Sequence, residues 1–229
     1  KRAKKAQQAG YLTSIIPVQN ALGGIALDTD EHPRPDTTLK KLAVLSPAFK
    51  VMGEMAGYNA LALHRYPKIP AIQHLHHAGN SSGIVDGASA VLLASKQAIK
   101  KHQLKPKAQI IATAQVGVDP TIMLTGPTYA ALSALKRAKL SAEDIDLWEI
   151  NEAFSSVVLN FMEALSLPIE KVNVNGGAIA YGHPLGATGT MLVGTLVDEL
   201  IRRKKTYGCV ALCTAAGMAT AAIIKRTTS

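Results

Sequence analysis

The sequence predicts an α/β protein, with a layered helix-and-sheet core over residues 85–229 and a loop-rich segment over 1–84 in front of it. Two observations carry this. From about Asp86 onward, short β-branched runs alternate with stretches whose apolar residues recur every three to four positions. The predicted strands are apolar on both sides, which fits the middle of a sheet covered on both faces.

Taken in order, residues 88–94 form a short apolar run, followed by a Lys-rich helix ending near His102. Residues 109–116 are β-branched and strand-like. Pro127 sits where a first helical turn tolerates it and opens a helix through Lys139. Residues 146–150 form a strand. Over 154–165, Phe154, Val157, Val158, Phe161, Met162 and Leu165 make an amphipathic stripe. Val172–Val174 is a short strand, and a glycine-rich loop leads into a helix over 190–205 striped by Leu192, Val193, Leu196, Val197, Leu200 and Ile201. Two apolar strands, about 208–214 and 218–225, turn through Gly217. By contrast, residues 1–84 are rich in Pro and Gly with only short periodic pieces, and predict an irregular layer lying on the core. No internal repeat is visible.

Composition narrows the function. At 48% hydrophobic and 18% charged, 229 residues can bury a proper core, which excludes a disordered chain. No apolar stretch approaches a membrane span, and two cysteines exclude a disulfide-scaffolded secreted module. An intracellular, cytoplasmic protein is the expectation. The chain begins at Lys1 with no initiator Met, and reads as processed or as a piece of something longer. The net charge of +9 sits in runs at Lys1–Lys5, Lys100–Lys107 and Arg202–Lys205. Aromatic residues are only 4%, which argues against nucleic acid as a partner. The runs read as solvated helix ends, or as a field that attracts a phosphate-bearing small molecule.

The stretch Asn175–Gly189 carries five glycines around one His-Pro step. Such a loop lets the backbone pass close to a ligand and leaves free N–H groups at the start of a helix. Its spacing is neither a P-loop nor a dinucleotide fingerprint. His183 within it is either a buried structural histidine or a reacting group. Asn151, at a strand-to-helix junction, is either an N-cap or an amide holding a water or carbonyl oxygen at the end of the sheet. Cys209 and Cys213, four apart on an extended strand, lie about 13 Å from each other and cannot bond; one can be core while the other is reactive. His74, His76 and His77 lack a partnering ligand at metal spacing, so no metal is expected.

Five motifs in order, AGNSSGIVDGASA (78–90), VGVDP (116–120), NEAF (151–154), NGGAIAYGHPLGATG (175–189) and the Cys213 strand, resemble the thiolases. The resemblance implies a layered αβαβα fold, of which residues 1–84 are the later part of the loop domain and 85–229 the C-terminal core domain. It implies a two-step acyl transfer between a 3-ketoacyl-CoA and CoA, with the nucleophilic cysteine on an N-terminal half. His183 then corresponds to the base that activates that nucleophile, Cys213 to the acid/base at the acetyl α-carbon, and Asn151 to the residue holding a water in the oxyanion hole. Arg34 matches a residue beside the CoA nucleotide, and Ala78, Gly79 and Ser82 match the pantetheine groove. Acyl-CoA and CoA are the implied substrates, with no covalently bound cofactor. A homodimer or homotetramer is the implied assembly.

The sequence departs from the family in three places. Thr214-Ala215-Ala216-Gly217 replaces a glycine cluster, and Ala215 keeps an oxyanion-hole N–H only if its φ is negative. Lys41 stands where a serine near the CoA groove is usual. Between Phe49 and Ala78 the chain is longer than the family pattern. The alternative to an enzyme is a non-catalytic partner or dimerisation half.

Overall fold

The structure is a computed structural model and describes residues 1–227. The chain opens with α1 (Arg2–Gln8), the short antiparallel strands β1 (Val18–Gln19) and β2 (Ile25–Leu27), and the helices α2 (Leu39–Ala43), α3 (Lys50–Met55) and α4 (Tyr58–Arg65). Helix α5 (Lys96–Lys101) precedes the core. The core runs β3 (Ala108–Gly117), α6 (Gly126–Ala138), β4 (Leu147–Ile150), α7 (Ser155–Ala164), α8 (Ala178–Tyr181), α9 (Thr188–Arg202), β5 (Tyr207–Thr214) and β6 (Met218–Arg226). Single 3₁₀ turns lie at Ile169–Lys171 and Ala215–Gly217.

Four strands form one mixed sheet in the order β3-β6-β5-β4. Strands β4 and β5 are parallel, with Ile150 opposite Ala211, while β6 is antiparallel to both its neighbours. Alternation along the strands sends side chains to opposite faces. On one face Trp148, Ile150, Cys209, Ala211, Ala221 and Ile223 pack against α6 and α7. On the other, Leu147, Val210 and Ile224 meet Leu192, Leu196 and Leu200 of α9. The helices therefore cover both faces, as the apolar strands require. Trp148 and Phe161 meet edge to face at 5.5 Å, a pairing worth about 0.5–1.5 kcal/mol beyond the area it buries. The stripe on α9 is narrower than predicted, because Ile201 is largely exposed beyond Leu200.

The predicted strand at Val172–Val174 is reduced to one bridge, Val172 beside Trp148. The cause is Asn173, whose backbone takes φ 43° and leaves the extended region. Its carboxamide replaces the missing rungs: Oδ1 accepts from the Ile150 N–H at 2.8 Å and Nδ2 donates to the Ile150 carbonyl at 2.9 Å. The apolar run 88–94 also differs from expectation. It is irregular, and Leu92 and Leu93 are exposed along with Ile84 nearby.

The first residues belong to the α9 side of the sheet. Ala3 and Ala6 are buried, Arg2 donates to the carbonyls of Val172 and Ile169 at 2.9 and 3.0 Å, and the Arg202 guanidinium lies 3.8 Å over the Tyr11 ring.

Candidate active site

Three of the sequence motifs meet where β4 and β5 end. The Asn151 N–H donates to the Ala211 carbonyl at 2.9 Å, continuing the β4–β5 ladder one residue past β4. Just beyond, the Ser82 N–H donates to the Ala153 carbonyl at 2.9 Å and the Ser155 N–H to Asn80 at 2.9 Å. The 78–83 segment thus runs as an extra strand beside NEAF. It continues into the glycine-rich loop, where the His183 N–H donates to the Gly83 carbonyl at 2.9 Å.

Glu152 fastens that loop from the other side. Its carboxylate accepts from Asn173 Nδ2 at 3.0 Å and from the Ile179 N–H at 3.1 Å. Gly177 has to be glycine here, since a Cβ would lie 2.4 Å from the Glu152 carboxyl carbon. Gly182 holds φ 91°, and a Cβ there would strike Val85 at 2.3 Å. The chain is thereby steered so that the next residue, His183, faces the sheet end.

His183 and Asn151 are in direct contact, with Asn151 Nδ2 3.3 Å from His183 Nε2. The other ring nitrogen, Nδ1, lies 2.6 Å from Thr188 Oγ1, and that hydroxyl is 3.0 Å from the Pro184 carbonyl. One proton arrangement satisfies all three contacts. Nδ1–H donates to Thr188, Thr188 donates to Pro184, and Nε2 keeps a lone pair that accepts from Asn151. Burial lowers the His183 pKa, favouring this neutral ring. Asn151 is fully buried, and its Oδ1 has no hydrogen-bond partner among the described residues.

Cys213 lies two residues past Ala211 on β5, about 7 Å further along the strand, and so stands at the same end of the sheet. It is half-buried against the α6–α7 core face, and burial raises its pKa, partly offset by a backbone hydrogen bond. Cys209 on the same face is wholly enclosed, and burial raises its pKa well above the ordinary range. Both cysteines are free thiols. Of the two, only Cys213 is partly open to solvent at the sheet end.

In the turn after β5 the positive φ falls on Ala216 (61°) and Gly217 (80°), and Ala215 is not among the residues with positive φ. The condition set for its N–H is met. Ser82 and Gly79 are half-buried and Ala78 is exposed on the strip beside NEAF. Below it a cleft of about 390 Å³ opens between Val85–Ser89 and Pro184–Ala187. Arg34 is exposed on a segment that His32 ties to the Ala180 carbonyl at 2.8 Å, and is not brought into contact with His183 among the described residues. Lys41 is ion-paired with Asp36 on the surface. His74, His76 and His77 turn to separate partners: Asn59, Ser156 and the Gly79 N–H.

Sequence reasoning missed Thr188, Glu152 and Asn173. Each lies inside or beside a motif already singled out, but its partner is distant in the chain.

A helix-covered sheet with an imidazole, a thiol and a carboxamide at one end defines an acid–base site of the kind acyl-transfer chemistry uses. The chain belongs to the thiolase family. Residues 104–226 match the thiolase C-terminal domain and residues 1–64 the thiolase N-terminal domain. Over 229 residues the chain is 42% identical to the human mitochondrial 3-ketoacyl-CoA thiolase, covering 99% of this chain and 52% of that protein. The rat peroxisomal 3-ketoacyl-CoA thiolase B is 41% identical over 98% of this chain and 50% of its own length. The crystal structure of the human mitochondrial enzyme superposes with a TM-score of 0.85 at 41% identity, over 99% of this chain and 52% of that one. That of the Bacillus anthracis acetyl-CoA acetyltransferase gives 0.84 at 36% identity, over 99% and 53%. The chain therefore spans about half the length of the relatives it matches.

Among the described residues, no helix is long and apolar enough to cross a membrane.

Proposed function

We propose that this chain is the half of a thiolase that supplies acid–base chemistry for acyl transfer between a 3-ketoacyl-CoA and CoA. The nucleophilic cysteine comes from the half that its relatives carry in addition. The observation that carries the reading is the His183 ring, held neutral by Thr188 with its Nε2 lone pair beside Asn151.

In the first step His183 Nε2 takes the proton of the nucleophilic thiol, and the thiolate adds to the 3-keto carbon. The tetrahedral adduct collapses by breaking the bond between C2 and C3, leaving a thioester on the enzyme and the enolate of acetyl-CoA. Cys213 gives its proton to the enolate carbon. Burial suits it to this role, because a thiol with a raised pKa stays protonated until a carbanion needs it. In the second step CoA gives its thiol proton to the Cys213 thiolate and attacks the thioester. The expelled enzyme thiolate recovers its proton from His183.

Both steps build charge on a carbonyl oxygen, where one oriented donor is worth about 2.7–4 kcal/mol. Asn151 Oδ1, buried and unpaired, is the acceptor that would orient a water toward that oxygen. The Ala215 N–H is the second candidate donor. Ala78, Gly79 and Ser82 border the groove read as taking pantetheine, and Arg34 is read as meeting the CoA nucleotide. One solved relative is described as the human mitochondrial enzyme in complex with CoA, which supports CoA as the substrate here. The same reading carries a homodimeric or homotetrameric assembly. The relatives named mitochondrial and peroxisomal favour an organelle over the cytoplasm.

Thiolysis of a 3-ketoacyl-CoA by the complete polypeptide tests the reading. Activity that is lost in His183→Ala, with both half-reactions gone, supports it. A wild-type polypeptide that turns over no 3-ketoacyl-CoA overturns it in favour of a non-catalytic partner.

A further inference from the structure

A second cavity, of about 360 Å³, lies on the NEAF side of the site between the 49–77 segment and the Thr121–Ile122 loop. That is within the size range of small-molecule sites. Its wall is largely carbon: Ala62, Ile69 and Ile72 on one side, Ile122 opposite, with the rings of Phe49 and Tyr66 between them. Phe49, Ile69 and Ile122 each keep over 40% of their surface open, in a concave setting rather than scattered singly over the surface.

The polar groups around the cavity are already engaged. Tyr66 Oη donates to Asp119 Oδ2 at 2.8 Å, and Arg65 Nε donates to the same oxygen at 2.9 Å. His74 Nε2 is 3.1 Å from Asn59 Nδ2, and His76 Nε2 is 2.9 Å from Ser156 Oγ. Most of the hydrogen-bonding capacity of the wall is thus spent within the protein. The Tyr66–Asp119 and Arg65–Asp119 bonds also tie the end of α4 across to the loop after β3, fixing the two walls relative to each other.

The cavity adjoins the acid–base site. The rings of Phe49 and His76 both meet Phe154 edge-on, at 5.8 and 4.8 Å between centroids. Phe154 is three residues from Asn151. Tyr66, Ile69, Ile72, Gln73, His74 and His76 come from residues that neither family match covers, since those matches span 1–64 and 104–226.

We infer that this cavity receives the hydrocarbon end of the acyl group, and that the 65–76 segment sets a preference for medium or long chains over acetoacetyl-CoA. The inference rests on the thiolase reading for its reaction but not for its binding. Two arms separate them. Titration calorimetry of this chain with decanoic acid reads the cavity alone. The ratio of kcat/KM for 3-ketodecanoyl-CoA to that for acetoacetyl-CoA, in the complete polypeptide, reads its effect on the reaction.

Ile72→Trp fills the cavity. It is expected to weaken decanoate binding at least tenfold and to lower the kcat/KM ratio by a similar factor, with acetoacetyl-CoA turnover unchanged; two buried methylenes account for about a tenfold effect. Equal decanoate binding by wild type and variant, no binding to wild type, or an unmoved ratio overturns the inference. Should Ile72→Trp fail to fold, Ala62→Leu and Ile122→Phe narrow the cavity from separate walls and are read the same way. A polypeptide that turns over neither substrate, yet binds decanoate in a manner sensitive to position 72, defeats the thiolase reading and leaves the cavity assignment standing.

Discussion

The hydroxyl of Thr188, 2.6 Å from His183 Nδ1, decides which ring nitrogen of that histidine carries the proton. Thr188 is buried in the first turn of α9, and its own proton is committed to the Pro184 carbonyl at 3.0 Å. The acceptor lone pair therefore faces Nδ1, and Nε2 is left as the base.

Replacing that hydroxyl by a methyl group should strand Nδ1–H without an acceptor. Thr188→Val is expected to cost about 1–3 kcal/mol, the penalty of a buried unpaired donor, and to lower kcat/KM of thiolysis ten- to a hundredfold. Thr188→Ser should restore most of it. Nitrogen NMR of the histidine ring reads the tautomer directly, and an unchanged Nδ1–H form in Thr188→Val would contradict the assignment.

The two shifted groups set a pH profile. Burial lowers the His183 pKa, so the base stays neutral down to below the ordinary histidine value, and kcat/KM should fall only as pH drops through that lowered value. Burial raises the Cys213 pKa, so the proton donor persists above the ordinary thiol value, and the alkaline limb should lie there. A wide plateau with both limbs displaced outward is the expected result. Cys213→Ser should move the alkaline limb and leave the acid limb in place.

Glu149 is a buried carboxyl whose Oε2 has no partner among the described residues. Burial, then the nearby charges of Glu152 and Glu199, raise its pKa well above the usual range. A group that binds its proton more tightly when folded contributes stability below its unfolded pKa, and that contribution is lost as pH rises toward the folded value. Urea unfolding should therefore show stability declining from mildly acidic to alkaline pH. Glu149→Gln should flatten that decline and be at least as stable as wild type at pH 9.

Asn173 combines a positive φ with two bonds to Ile150, which its substitutions separate. Asn173→Gly keeps the backbone conformation and loses the bonds; Asn173→Ala loses the bonds and adds strain. Both should destabilise, the glycine by about 1–3 kcal/mol and the alanine by about 1 kcal/mol more. Equal losses would mean that the positive φ carries no cost.

Helices α7 and α9 were legible because burial on a sheet imposes a stripe that survives in the sequence as spacing. Leu192, Leu196 and Leu200 fall one turn apart and meet Leu147, Val210 and Ile224. The strand expected at Val172–Val174 failed because apolar residues at alternate positions say nothing of a side chain that substitutes for ladder bonds. The site was legible as motifs: His183 and Asn151 stood out by their surroundings, and they are in contact. Thr188 did not stand out, since a threonine opening a helix is ordinary and only the turn at His183–Pro184 aims it at the ring. Glu152 was hidden for the same reason, its partners Asn173 and Ile179 lying more than twenty residues away.

The irregular stretch around Ile84–Leu93 leaves Ile84, Leu92 and Leu93 open to water on backbone that no neighbouring strand covers among the described residues. Greasy, unzipped main chain of this sort is adhesive. A preparation of these residues by themselves should grow turbid as it is concentrated, and a lysine introduced at Leu92 should keep it clear.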